Sequence, residues 1–216
     1  MNQPHPTPVW WDAASASVPY MGMQTNGDRA YLDLEPGRCR LGLIDAAGHG
    51  PPASEVCDQI EHSDILHTHP TPQAALIALH ELLRGTVGAA ALIADIYPEA
   101  GHARVSYAGV GNVRLWRGRH NPTHHEGQPG MLGSRMPQTL RPHEVTLSDG
   151  DLLMLTTDGV RSGARALLPR TYLSAIAMAH AAVHDHARPY DDATCVVFFY
   201  QPTISTQTHH APGPRA

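Results

Sequence analysis

At 216 residues, 42% of them hydrophobic, the chain is long enough to bury one sizeable core. Its formal net charge of −5 comes without any block of Lys or Arg, which argues against nucleic acid as a partner, because phosphate neutralisation needs clustered cations. No apolar run approaches the roughly 20 residues of a membrane span, and the opening MNQPHPTPVWW has neither a basic n-region nor an apolar h-region, so no membrane partner and a cytoplasmic location are expected.

Taken in order, residues 1–9 are polar and Pro-rich and read as a disordered arm, with Trp10 and Trp11 marking where packing begins. Strands are expected over 17–24, 29–34 and 38–44, as an antiparallel set. Asn26-Gly27 is a hairpin-turn signal between the first two, because both residues tolerate positive φ. Ala53, Val56, Cys57 and Ile60 recur at helical spacing, predicting a helix over 52–67. A second helix is expected over 72–84, ended by Gly85 and Gly88. Strands follow at 89–97, 103–108 and 112–117. Residues 120–137 carry too much Gly, Pro and His for regular structure and read as a loop. A hairpin of 144–147 and 151–156 turns at Asp149-Gly150. A last helix over 170–184 turns Leu173, Ile176, Ala177 and Val183 inward, and 194–201 is the final strand. Residues 203–216 have nothing to bury and read as a disordered tail, leaving 10–202 as one domain. Strands and helices do not alternate, so the pattern favours antiparallel sheets covered by helices over a doubly wound parallel sheet.

Cys39, Cys57 and Cys195 are too few and too scattered for a disulfide framework or a CxxC metal site; Cys39 and Cys195 lie in apolar strand-like runs and read as buried thiols. The informative residues are acidic. In LGLIDAAGHG, residues 41–50, an apolar strand delivers Asp45 to a small-residue turn. LLMLTT delivers Asp158 to another turn, Asp28 follows Asn26-Gly27, and Asp191-Asp192 precede the last strand. If these strands lie side by side, the carboxylates meet at one edge. Two of them about 4 Å apart repel by roughly 4 kcal/mol at an effective dielectric near 20, and hard divalent cations with all-oxygen coordination remove that cost. A pair of Mn²⁺ or Mg²⁺ ions is therefore expected, able to acidify a shared water for attack on phosphorus.

The segments Asn26-Gly27-Asp28, LIDAAGHG at 43–50, RGTVGAA at 84–90, YAGVGNVRLW at 107–116, MLGS at 131–134, LTTDGV at 155–160 and DDATCVVF at 191–198 give the chain a resemblance. In this order it resembles the metal-dependent Ser/Thr protein phosphatases of the PPM (type 2C-like) group, in the bacterial SpoIIE and RsbX branch. The resemblance implies an α+β fold, an αββα four-layer sandwich of two antiparallel sheets flanked by helices. It also implies two Mn²⁺ or Mg²⁺ ions between the sheets. By that likeness Asp45 bridges both ions, the carbonyl of Ala46 binds one, and Asp158 and Asp191 hold the other. Asp28 orients water or joins the ligands, and Asp192 supports them from behind. Asp45, Asp158 and Asp191 are the catalytic set.

Two departures from the family pattern bear on the site. Ala46 stands where Gly is common, which a carbonyl ligand tolerates if φ stays negative. Ala47 stands where eukaryotic relatives carry a candidate acid His, and His49, two residues on, is not assigned proton transfer. No Arg is placed as a phosphate clamp, although Arg29 adjoins Asp28. The chain has 16 His, and His67-Thr68-His69, His124-His125 and His209-His210 invite a zinc reading. Zinc needs three or four ligands at defined spacings, so these read as solvated loop residues, the 120–137 loop serving substrate recognition instead.

The expected activity is hydrolysis of phosphoserine or phosphothreonine on a signalling protein, by in-line attack of activated water without a phosphoenzyme. The resemblance suggests a STAS-type stressosome or anti-sigma-antagonist substrate. The alternatives are a catalytically weak binding module of a partner-switching system and a hydrolase of small phosphate esters.

Overall fold

The computed structural model describes residues 10–118, 122–172 and 174–201. The expected arm, the tail with His209-His210, and Leu173 lie outside the described residues. Two five-stranded antiparallel sheets form the centre of the fold. The first orders β1 (Trp11–Val18), β10 (Ala193–Tyr200), β9 (Leu152–Thr156), β6 (Arg114–Arg117) and β7 (Thr123–Glu126). The second orders β2 (Asp28–Glu35), β3 (Arg38–Ala46), β4 (Ala89–Glu99), β5 (His102–Val110) and β8 (His143–Leu147).

Apolar periodicity dictates the layering. Along β3, Leu41 and Leu43 face the space between the sheets with Leu92 of β4, and Leu153, Leu155, Val196 and Phe198 answer from the other sheet. The alternate residues Ile44, Ala91 and Ile93 turn outward, under α1 (Pro51–His62), α2 (Ile65–Thr68) and α3 (Pro72–Leu82). Met154, Cys195 and Val197 turn outward on the first sheet, under α4 (Ala175–His186). Strands covered on both faces have no polar side to show, which is why β4, β9 and β10 are nearly continuous apolar runs. The result is the αββα sandwich. Ser174 caps α4 by accepting from the Ala177 N–H, and Thr71 caps α3 by accepting from the Ala74 N–H.

Several boundaries differ from the sequence expectation. The first strand is 11–18, not 17–24, and it pairs along its whole length with β10 rather than with β2, so the three opening strands are not one antiparallel set. Asn26-Gly27 is not a hairpin turn. Asn26 folds back to accept from the Asp28 N–H at 2.8 Å, and a Cβ on Gly27 would come within 2.7 Å of Ala53 and 3.0 Å of Asp192, so the glycine serves close approach. The helix begun at Pro51 ends at His62, where Asp64 enters the left-handed region at φ 55° and restarts the chain as α2. The predicted 144–156 hairpin instead crosses between layers: β8 edges one sheet and β9 is central in the other, because only β9 is apolar on both faces. The 120–137 loop contains β7, and residues 162–167 form a 3₁₀ turn ahead of α4, which starts at Ala175 rather than 170. All three cysteines are buried and free.

Candidate metal centre

Strand direction brings the acidic residues to one end of the sandwich. β2 and β3 are antiparallel with Asp28 directly opposite Asp45, and β9 and β10 are antiparallel, so the segment after Thr156 and the segment before Ala193 emerge together. Asp45, Asp158 and Asp191 line one cleft of about 220 Å³, with Ala47, Gly48, His49, Ala90, Asn112 and Met131. A larger groove of about 920 Å³ beside α1, lined by Val56, Gln59, Leu82 and Val87 among others, holds none of these carboxylates.

Charges crowd at the cleft. Burial, then the charges of Asp28, Asp158 and Asp191, push the Asp45 carboxyl from 3.8 up to about 9. Its Oδ2 is buried without a hydrogen-bond partner. Asp28 lies behind the cleft wall and is 4% exposed. Burial lifts it to about 7, against the hydrogen bonds from Thr157 and Thr194; Thr157 Oγ1 donates to its Oδ2 at 2.8 Å. Burial and then Asp158 also raise Asp191, opposed by the cation of Arg188. A protonated or cation-bound state of the group is therefore strongly favoured over four free charges.

The residues around the carboxylates fix their aim. Asn112, on the Gly111 turn between β5 and β6, donates from Nδ2 to Asp158 Oδ2 at 2.7 Å. Asp192 accepts from the Gly27 N–H at 2.9 Å and the Tyr20 N–H at 2.8 Å, tying the β1–β2 connection to the start of β10. Gly159 passes so close to the Asp192 carbonyl that a Cβ there would stand 1.8 Å from its oxygen. Ala46 is buried, and Asp64 is the sole non-glycine residue with positive φ among the described residues, so Ala46 meets the condition for offering its carbonyl. His49 lines the cleft with its ring 4.6 Å from that of Tyr20. Arg29 is engaged elsewhere, with Asp58 at 2.9 Å and Glu61 at 3.7 Å, and does not serve the cleft.

The donor set fits hard divalent cations. It consists of carboxylate oxygens, one orphaned and buried, with a solvent-connected cleft for water ligands. Among the described residues, no group of three or more His, Cys, Asp or Glu stands close enough together to hold an ion by itself, so water would have to complete the shell of any ion in the cleft. His67 stands in α2, and His124 and His125 in β7, rather than in loops, whereas His69 follows α2 outside any helix or strand. Sequence reasoning quoted the Asn112 and Thr157 motifs without giving either a role, and it missed Arg188. The signal for Asn112 was present, an amide on a Gly turn beside an apolar strand; nothing local marks Arg188.

The profile of the Stage II sporulation protein E (SpoIIE) family matches residues 35–201. No match emerges among curated protein sequences. Among solved structures, one described under the bacterial stressosome as a modular system adapted to control secondary messenger signalling aligns with TM-score 0.77 at 24% identity, over 87% of this chain and 98% of that one. RsbX in complex with magnesium aligns with TM-score 0.75 at 18% identity, over 88% and 96%. The PP2C phosphatase domain of SpoIIE from Bacillus subtilis, with a fragment of its regulatory domain, aligns with TM-score 0.73 at 16% identity, over 89% and 64%. At these identities the structural likeness establishes the fold, and the profile match over most of the chain establishes the family. The chain belongs to the SpoIIE family of PPM (type 2C-like) phosphatases.

Proposed function

We propose that this protein hydrolyses phosphoserine or phosphothreonine on a partner protein, using two Mn²⁺ or Mg²⁺ ions held by Asp45, the carbonyl of Ala46, Asp158 and Asp191, with Asp28 behind them. The observation that carries this reading is the convergence of carboxylates from three distant chain segments on a cleft where Asp45 keeps a buried, unpartnered oxygen. When bound, such ions neutralise the carboxylates and the phosphoryl oxygens and acidify a water for attack on phosphorus. The chain's own residues do the rest. Asn112 fixes the rotamer of Asp158, Thr157 holds Asp28, and Asp192 keeps the Gly27 turn against β10. Arg188 stands three residues before Asp191, with its N–H donating to the Gly159 carbonyl at 2.8 Å. Its guanidinium is the cation that acts on Asp191, and its charge favours an incoming phosphoryl group from outside the cleft lining.

The substrate we favour is a STAS-type stressosome or anti-sigma-antagonist protein. RsbX and the stressosome-related structure among the similar folds support that choice, as does an RsbU–RsbW pair from Mycobacterium tuberculosis, aligned at TM-score 0.65. The test is hydrolysis of a phosphoserine STAS protein and of p-nitrophenyl phosphate, with Mn²⁺, with chelator, and for Asp45→Asn. Mn²⁺-dependent release from the protein, lost in Asp45→Asn, is expected. Release from p-nitrophenyl phosphate alone would leave a small-ester hydrolase, and no release from either would leave a binding module. Arg188→Ala is expected to raise KM about fivefold with a smaller change in kcat, since a nearby cation acting through solvent is worth on the order of 1 kcal/mol.

A further inference from the structure

Eight large apolar side chains are exposed among the described residues, and five of them stand on the three segments that border the carboxylate cleft. Val18, Met21 and Met23 belong to the end of β1 and the connection after it, Tyr190 adjoins Asp191, and Met131 is part of the cleft lining. Single exposed apolar residues are ordinary, but a group of them beside one site is not. Met21 is 73% exposed and Tyr190 69%, the two highest values of the eight.

The backbone holds this group in place. The Tyr20 N–H donates to Asp192 Oδ1 at 2.8 Å and the Met21 N–H to the Pro189 carbonyl at 3.2 Å, so the connection after β1 lies against the segment that leads to Asp191. The Met23 N–H closes a turn on the Tyr20 carbonyl at 2.9 Å, with Gly22 at φ 89°, which sets Met21 at the tip. The Tyr20 ring rests 4.6 Å from that of His49, a residue of the cleft lining. The patch is therefore continuous with the cleft. From Ala13 to Gly27 the sequence carries no charged residue.

We propose that Met21, Met23 and Tyr190 form the surface on which a substrate protein docks, receiving an apolar side chain that flanks its phosphoserine or phosphothreonine. This rests on the phosphatase reading of the cleft and adds what the rim of that cleft selects. At about 220 Å³ the cleft is smaller than the roughly 300–1,000 Å³ of a site that encloses a whole small molecule, so it takes the phosphoryl group and leaves the flanking side chains to the rim. The chain's formal charge of −5 repels an anionic phosphopeptide at long range, so burial of apolar surface at the rim is what remains to hold it. The residue types suit the task. Unbranched thioether side chains repack against different partners, and Tyr is a common anchor of protein interfaces.

The experiment compares two phosphoserine peptides, identical except for Leu or Ser at the positions flanking the phosphoserine, with p-nitrophenyl phosphate as the probe of the cleft alone. With Mn²⁺, wild type is expected to show kcat/KM about fivefold higher on the Leu peptide, less than the tenfold or more that a closed apolar pocket gives. The double variant Met21→Ser, Tyr190→Ser is expected to lose that preference and to hydrolyse p-nitrophenyl phosphate as wild type does. Ile176→Ser is the control, an exposed apolar position next to Ala175, whose N–H bonds Asp12 at the far end of β1; it should keep the preference. Equal rates on the two peptides, a preference that survives in the double variant, or p-nitrophenyl phosphate hydrolysis that falls in step would overturn the proposal, as would hydrolysis of that ester but of neither peptide. If wild type hydrolyses none of the three, the phosphatase reading fails and fluorescence anisotropy of the Leu peptide decides the surface: binding weakened in the double variant keeps it, and absent or unchanged binding overturns it. A dimer in sedimentation that the double variant dissociates would assign the patch to a second copy of the chain instead.

Discussion

Asp45 shows most directly how a single residue is committed by its surroundings. Its Oδ2 is buried without a partner, its neighbours are carboxylates, and a hydrogen bond with Asp158 adds to the upward push of burial and charge. Asp45→Asn removes the ionisable group from that crowd, so metal-free protein is expected to gain about 1–3 kcal/mol in chemical denaturation, while Mn²⁺-dependent hydrolysis is lost. A variant that lost stability and activity together would point to a structural role instead. The same residues set a pH dependence. Asp45 and Asp28 have folded values near 9 and 7, above the ordinary 3.8, so between these limits the folded chain holds more protons than the unfolded one. Their contribution to stability is therefore largest below about pH 4 and falls as pH rises through the two folded values. In chelator, the melting temperature is expected to fall from pH 5 to pH 9. Mn²⁺ should reverse the trend, binding more tightly as protons leave. A flat melting profile in chelator would count against the crowding of charges.

At the scale of elements, the fold turns β-strand ends into a site by tying turns across the sheets. Gly27, Asp192, Thr157 and Gly159 interlock the starts of β2 and β10 with the end of β9, and none of these contacts joins neighbours in sequence. Helix α2 depends on a different device. Arg40, fully buried on β3, donates to both Asp95 oxygens at 2.6 and 2.7 Å, and its third nitrogen donates to the carbonyls of Leu66 and His69. Burial opposes the Arg40 charge, but Asp95 outweighs it and the guanidinium is held above its ordinary value. Arg40→Ala would strand Asp95 and two carbonyls, at a cost of about 3–5 kcal/mol in urea denaturation. A loss under 1 kcal/mol would mean that water replaces the guanidinium without penalty.

For the molecule as a whole, the two sheets meet at the acidic end through the Asp28–Thr157 hydrogen bond, and a cation held there would bind the folded state alone. Mn²⁺ at about 100 times its Kd is expected to stabilise the chain by about 2.7 kcal/mol, read as a rise in melting temperature. Asp158→Asn should abolish most of that rise while leaving the metal-free melt intact or higher. Equal Mn²⁺ stabilisation in the variant would place the ion elsewhere. Among the described residues, no helix is long and apolar enough to cross a membrane.

Apolar period made antiparallel sheets covered by helices legible from sequence, and the recurrence of Asp at turns singled out Asp28, Asp45, Asp158 and Asp191, because burial on two faces and a turn after a strand are local properties, whereas the four-layer sandwich was implied by the resemblance. Pairing was not legible. Whether β1 joins β2 or β10, and whether β8 joins β9, depends on which edges are left open when distant segments collapse, and turn residues such as Asn26-Gly27 and Asp149-Gly150 suit either outcome. The Asn112–Asp158 and Thr157–Asp28 contacts were hidden for the same reason: each joins residues that only the pairing of distant segments brings together. Sequence by itself determined which strands are apolar and which turns carry charge; tertiary structure alone decided which of those charges face one another and which face of α4 packs, leaving Ile176 and Ala177, expected inward, exposed.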